Sequence, residues 1–434
     1  MKRLFFGGIH PEDRKALSAG SMTLTPLTPR EVAIPLSQHI GVPCTPLVQP
    51  GDQVRLGQKI GDGEGLCVPV HASVSGTVRA VELRPHPRGG KAMSIVIEND
   101  GLDTPVNEEN PKTDQKDPDA VLHAIREAGI VGMGGAAFPS DVKALSSMGK
   151  MDVLIANACE CEPYITADAT LLRTDPAHIL DGMRILAGVL KPERLVLAVE
   201  DNKAEAIGVV KKQMARFPEI ELLVLPTRYP QGAEKQLVQA VTGREIPPGK
   251  LPSAVGCGVF NVSTFAAIYR AVEQGTPLTR RLVTVSGEGV MNPRNFIVPI
   301  GTSFRDVIEA AGGLREDIEK VISGGPMMGT ALETLDVPVV KATNSILCLS
   351  KGRPEAAAHP VCIRCGKCVA ACPMRLQPLY LYRYEKAGDA EELNRLNVLD
   401  CVECGSCAYV CPGKLPLVEK IRSGKKIVKE GAKK

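Results

Sequence analysis

Residues 152–168 read "DVLIANACECEPYITAD". The first half is apolar and short, the mark of a strand buried on both faces. The second half places Asn157, Glu160 and Glu162 where that strand ends. In open α/β sheets ligands sit beyond the carboxyl ends of the strands. Outward from this stretch, helical and strand patterns alternate. "DAVLHAIREAG" is amphipathic, with Val121, Leu122, Ile125 and Ala128 on one face. "HILDGMRILAGVL" reads as helix, "RLVLAVE" as strand, "NKAEAIGVVKKQMARF" as helix and "IELLVLP" as strand. The alternation predicts an α/β layered domain over residues 118–278.

The rest of the chain divides around that domain, so the expected fold class is multidomain, α/β and β. Residues 1–30 are Pro- and Gly-rich and read as an extended arm. From 31 to 104 short strands and turns follow one another. "VQPGDQVRLGQKIG" with "VHASVSGTVRAVE" resembles the barrel-sandwich fold of biotinyl and lipoyl domains. Those carriers bear a modified Lys at a hairpin tip, whereas "GEGLCVP" here has none, so a non-carrier domain is expected. The polar stretch 101–120 reads as a linker. Residues 281–335, with "RLVTVSGEG" and "SFRDVIEAAGG", resemble the soluble-ligand-binding β-grasp module. A Cys-rich domain is expected over 355–418, and the basic stretch 419–434 reads as a solvated tail.

Charged residues make up 23% and the net charge is +3, too weak a balance to imply nucleic acid. The start, "MKRLFFGGIHPEDRK", does not read as a signal peptide. No uncharged apolar run reaches the length of a membrane span. In a reducing compartment the fourteen Cys favour metal binding over a disulfide framework.

Eight of those Cys fall in two phrases, "CIRCGKCVAACP" (362–373) and "CVECGSCAYVCP" (401–412). Each is C-x2-C-x2-C-x3-C-P, in which three Cys wrap one cubane and the fourth ligates the other. Cys362, Cys365, Cys368 and Cys411 are therefore assigned to one [4Fe–4S] cluster, and Cys372, Cys401, Cys404 and Cys407 to the second. Structural zinc usually shows two separated C-x2-C pairs instead. "PLYLYRYEKAGDAEELNRLNVLD" between the phrases reads as helix, as in the helical ferredoxin-like modules of larger redox enzymes. Two linked cubanes make a one-electron wire, which needs a source. Cys159 and Cys161 read as buried apolar thiols.

The source is suggested by "GIVGMGGAAFPSDVK" (129–143). Glycines allow close backbone approach and a helix N-terminus offers N–H groups to phosphate. With "NACECEP" this loop resembles the flavin-bearing subunit of respiratory complex I and its relatives, which hold FMN and then NADH at a "GxGGxGFPxxxK" loop and an "NxxExEP" strand end. Gly132, Gly134, Gly135, Phe138, Pro139 and Lys143 match the first; Asn157, Glu160, Glu162 and Pro163 match the second. "RYPQGAEKQL" (228–237) and "VFNVSTFAAI" (259–268) extend the likeness. The resemblance implies that Gly132, Gly134, Lys143, Asn157, Glu160, Tyr229 and Asn261 contact FMN. It implies that Phe138 stacks on the nicotinamide and that Glu162 helps bind the NADH ribose or amide. Cys159 stands where the family usually has Asp, Cys161 and Ala137 each replace a Gly, and Phe260 replaces an Asn. Hydride transfer to a flavin needs no acid–base residue, so no residue is expected to be catalytic in that sense.

The order of parts, with "GGIHPEDRK" (7–15) and "IPLSQHIGVPCTPLV" (34–48), resembles the C subunit of the Rnf complexes, ferredoxin:NAD oxidoreductases that couple electron transfer to ion pumping. That resemblance implies FMN, NAD(H) and two [4Fe–4S] clusters as cofactors. It implies the other Rnf subunits as partners, chiefly the ferredoxin-like B subunit, and a peripheral place on the cytoplasmic face of the inner membrane. Two other readings stand beside it. Cobalamin reductase and the proline-reductase electron-transfer protein share much of the chain but serve another partner. An iron–sulfur scaffold with a decayed flavin site is the third.

Overall fold

The computed structural model describes residues 5–20, 24–106, 113–352 and 360–431. Parts of the expected arm (1–4 and 21–23) and of the linker (107–112), the expected start of the Cys-rich domain (355–359) and the end of the tail (432–434) lie outside them.

Four parallel strands form the central sheet, in the order Ile220–Leu225, Arg194–Glu200, Val153–Ala158, Cys257–Asn261. All four are largely apolar, because helices cover the sheet. Asp117 caps the helix Pro118–Glu127 by accepting from the Asp119 N–H, and Pro118 sits where no N–H is needed. Val121, Leu122, Ile125 and Ala128 are all buried. Pro176–Leu190 and Val262–Gln274 cross so closely that a Cβ on Gly182 would overlap the Phe265 carbonyl oxygen. The chain order reverses between Val153–Ala158 and Cys257–Asn261, which makes the gap beyond their ends the switch point of the sheet.

Residues 31–104 form two small antiparallel sheets around Val32, Ile34, Ile60, Val70, Ile95 and Ile97. The third unit is a six-stranded mixed sheet with the helix Phe304–Ala310 packed against it. It does not end at 335: Ser345–Ser350 pairs with both Arg280–Ser286 and Ile318–Ser323. "SILCLS" is a buried strand that the sequence reading left out. The arm is not a free extension either. Thr25–Pro26 adds to this sheet beside Phe296 and Ile297. Ile9 pairs with Tyr229 across the molecule.

The largest correction is at the C-terminus. Residues 419–431 are not a solvated tail: Leu417–Gly431 is a helix. Leu417, Ile421, Gly424 and Val428 recur at helical spacing and are buried, while Arg422, Lys426 and Lys429 are exposed. Lys425 Nζ turns back to the Cys401 carbonyl at 2.6 Å. Charge density hid the amphipathic period.

Gly182→Ala should destabilise the protein by about 1–3 kcal/mol, because the new methyl has only backbone to displace. Gly188→Ala, six residues along the same helix in open space, should leave it unchanged or raise it by up to about 1 kcal/mol. Denaturant midpoints of the two variants check this.

Candidate functional site

Asn157 and Asn261 are register partners at the ends of the two strands that flank the switch point. Beyond them opens a cavity of about 550 Å³. Its wall includes Gly132, Gly134, Gly135, Phe138 and Lys143 from the Gly-rich segment. It also includes Asn157, Glu160 and Glu162 from the strand end, with Tyr229 and Asn261 opposite. Every residue singled out for FMN or NADH thus meets in one place.

Each of these side chains is held from elsewhere. Asn157 donates to the Gly232 carbonyl at 2.9 Å and accepts from the Cys159 N–H at 3.0 Å. Asn261 caps the helix Val262–Gln274 through the Ser263 N–H and donates to Asp168 at 2.7 Å. Lys143 pairs with Glu234 at 2.6 Å and lies 5.0 Å above the Phe260 ring. Phe260 therefore replaces an Asn of the flavin family with a surface for the lysine.

The glycines are of two kinds. A Cβ on Gly134 would stand 3.0 Å from the Asn261 side chain, a tight contact that would push Asn261 from its place. A Cβ on Gly135 would meet nothing within 4 Å, and on Gly132 only ordinary contacts. Neither has a positive φ. Among the described residues no contact requires glycine at either place, and both leave the cavity wall bare, which suits the close approach of a phosphate. Ala137, where the family has Gly, sits at φ +58°, the left-handed region that glycine prefers.

The carboxylates divide as well. Glu160 accepts from the Asp168 N–H at 2.8 Å, at the start of the helix Ala167–Thr174, and burial raises its pKa against the pull of Lys15. Glu162 accepts from the Met327 N–H through Oε2 at 3.2 Å. Its Oε1 makes no hydrogen bond among the described residues. The neighbouring Tyr229 hydroxyl has its one proton committed to the Cys404 carbonyl at 2.6 Å. Burial lifts the Glu162 pKa to about 7. Glu162 lines the cavity with one buried carboxylate oxygen left without a partner, which fits a ligand hydroxyl or amide once the side chain turns to it.

Cys372, Cys401, Cys404 and Cys407 converge on one void walled by Met374, Leu376, Val402 and Ile421. Cys362, Cys368 and Cys411 pack together near Leu415 and Leu417, and Cys365 is exposed. Cys407 packs with that second group too, so the packing brings the two phrases together into one unit. The phrases repeat backbone too: Arg364 and Glu403 are left-handed, as are Gly366 and Gly405, then Arg375 and Lys414. Arg364 and Glu403 each offer an N–H to the Cys two residues earlier, at 3.4 and 3.3 Å. Burial raises the Cys401 thiol to about 11, and that of Cys407 further. A soft cation that replaces those protons suits such a donor set.

Sequence reasoning missed the link between the two places. Val402 and Cys404 line the large cavity as well as the cluster void. It also missed "GGPMMG" (324–329), which brings Met328 into the wall and presses Gly325 so close to Glu162 that a Cβ would overlap its carboxylate. A glycine pair flanking Pro-Met-Met was the available signal.

Four family descriptions match the chain in succession. They are the RnfC barrel sandwich hybrid domain (3–102), the Nuo51 FMN-binding domain (125–270), the SLBB domain (282–331) and the 4Fe-4S dicluster domain (357–412). The chain is 45% identical over 428 residues to the C subunit of the Na(+)-translocating ferredoxin:NAD(+) oxidoreductase complex of Acetobacterium woodii, covering 98% of this chain and 97% of that one. It is 44% identical to the C subunit of the proton-translocating ferredoxin:NAD(+) oxidoreductase complex of Clostridium ljungdahlii, over 88% and 84%. The C subunit of the ion-translocating oxidoreductase complex of Cronobacter sakazakii is 42% identical, and there the chain spans 55% of its length. Among solved structures, an NAD+-reducing [NiFe]-hydrogenase chain shares the fold, with a TM-score of 0.52 at 22% identity, over 71% of this chain and 64% of that one. No helix among the described residues is long and apolar enough to cross a membrane.

Because the folded-state pKa of Glu162 is raised, the folded protein binds the extra proton between the ordinary carboxylate range and pH 7. The stability tied to that proton is present at low pH and lost as pH rises through about 7. Glu162→Gln should remove this loss, by up to about 3 kcal/mol. Unfolding midpoints of the flavin-free protein between pH 5 and 8 would show a flatter profile.

Proposed function

The chain belongs to the C-subunit family of the ion-translocating ferredoxin:NAD(+) oxidoreductase (Rnf) complexes, and from that premise we propose how its residues serve the transfer. It is an NAD-dependent flavin and iron–sulfur oxidoreductase, a translocase subunit with FMN, NAD(H) and two [4Fe–4S] clusters as cofactors. The other subunits of the complex are its partners. When bound, FMN takes electrons from NADH as a pair and the clusters carry them singly.

One observation carries the residue assignments: the flavin-family residues and Cys404 share one cavity wall. Gly132 and Gly135 leave room for a phosphate, and Lys143 supplies its countercharge once released from Glu234. Asn157, Glu160, Tyr229 and Asn261 bound the FMN ring and ribityl chain. Phe138 packs on the nicotinamide, and Glu162 Oε1 accepts from its ribose or amide. The cluster of Cys372, Cys401, Cys404 and Cys407 is then first in line. Cys365 is exposed beside the exposed Val361 and Ile363, so the cluster that it would hold with Cys362, Cys368 and Cys411 would be the one open to a partner. That exposure supports the ferredoxin-like B subunit as the direct partner, with the protein peripheral on the cytoplasmic face. The mixed sheet with its one packed helix supports the β-grasp reading of residues 280–350. Names over nearly the whole length favour this function over a cobalamin-reductase or proline-reductase type.

Anaerobically purified protein should contain about eight irons and one FMN, and its spectrum should bleach with NADH far more than with NADPH. Iron without flavin would sink the site assignment. Lys143→Ala should weaken FMN retention about ten- to a hundredfold with iron unchanged, the loss of one charge-assisted contact. Gly135→Val should lose FMN while the thermal midpoint of the flavin-free protein stays put. An equal loss of fold and flavin would make the loop a folding element only.

A further inference from the structure

Outside the cluster phrases, one more group of donors converges. His39, Cys44 and Cys67 lie in the barrel-sandwich domain, all buried, with ligand atoms within 4.8 Å of one another. The thiol sulfurs are 3.5 Å apart, and Cys67 Sγ is 3.7 Å from His39 Nε2. In a tetrahedral zinc site with Zn–S near 2.3 Å and Zn–N near 2.0–2.1 Å, ligand atoms stand about 3.5–3.8 Å apart. We propose that His39, Cys44 and Cys67 form a Cys2His site for Zn2+, separate from the iron–sulfur clusters.

The surroundings fit such a cation. His39 Nδ1 faces the Ile40 carbonyl at 3.3 Å, an atom that can only accept, so Nδ1 carries the proton; Nε2 keeps the lone pair, which accepts from the Val68 N–H at 3.3 Å and would turn to the cation instead. Among the described residues, no group of opposite charge touches either thiol. Cys44 Sγ donates to the Val68 carbonyl at 3.3 Å. Lys341, held by the Pro69 and Gly129 carbonyls at 2.6 and 2.7 Å, is the buried cation of this region. The loops are fixed: a Cβ on Gly41 would overlap the Leu66 carbonyl, and one on Gly63 would stand 3.2 Å from Cys67 Sγ. Asp62 is not a fourth ligand, since Lys59, Arg126 and the Gly63 N–H hold it. Three protein ligands leave the fourth place to water.

The site has a structural consequence. Ile40, next to the ligand His39, donates its N–H to the Ala137 carbonyl at 3.2 Å and lines the large cavity. The cation would fasten the barrel domain against the Gly-rich loop.

The test uses the full chain with its clusters intact, dialysed anaerobically against Zn2+ and then against zinc-free buffer. Wild type should keep about one zinc per chain besides its iron, and zinc K-edge absorption should show two sulfur and at least one nitrogen neighbour. Cys44→Ser with Cys67→Ser should keep its iron and lose that zinc. Zinc should also raise the thermal midpoint of the wild type and not of the variant. The proposal fails if wild type keeps no more zinc than the variant, or if the zinc is ringed by sulfur alone, as at vacated cluster cysteines. A Cys44–Cys67 disulfide in the anaerobic protein would equally sink it. The wild-type spectrum decides the matter even if the double variant does not fold.

Discussion

The Tyr229 hydroxyl donates to the Cys404 carbonyl at 2.6 Å, and this contact joins the cavity to the iron–sulfur region. Electron transfer through protein slows steeply with distance, so the two must share a wall. Tyr229 is 2% exposed and is held along its whole length. Its backbone exchanges both hydrogen bonds with Ile9, at 2.8 and 3.0 Å. The next arm residue, Gly8, donates to the Ala371 carbonyl at 2.9 Å, beside Cys372. Gly7 is left-handed, and a Cβ there would stand 2.5 Å from the Cys372 carbonyl. The arm threads a gap that only glycine fits, and it fastens the cluster domain to the flavin-type domain.

Behind the cavity lies a second constraint, a set of buried charges. Lys15, from the same arm, donates to the carbonyls of Glu162 and Ile165. Glu200 and Lys203 pair at 2.8 Å, both nearly inaccessible. Such pairs add little net stability, because desolvation offsets their attraction, but breaking one leaves a costly lone charge. Lys15 and Lys203 both set positive charge near Glu160, on the strand end that also carries Glu162. A rigid wall of this kind keeps a ligand oriented without further ordering.

Much of the site was legible because its signals are local. The Cys phrases announce cubanes through spacing alone, since four thiols in eleven residues suit little else. The stretch at 152–168 announces a strand with polar residues at its carboxyl end, and the Gly-rich loop names its partner. The misreadings arose where local signals mislead. The helix Leu417–Gly431 looked like a charged tail because five Lys and Arg residues masked four buried positions. Ser345–Ser350 was missed because it is short and lacks alternation, being buried on both faces.

By itself, the sequence carried the chemical signals: the Cys spacing that suits cubanes, the Gly-rich loop, and the strand that ends in acids. These follow from residue type and short spacing, which the chain carries whether folded or not. The tertiary structure alone decided adjacency. Asn157 opposite Asn261, Glu162 under Gly325, Tyr229 on Cys404 and His39 beside Cys67 each join segments far apart in the chain. Such contacts depend on how sheets and loops pack in three dimensions, and no pattern along one dimension encodes a distance between them.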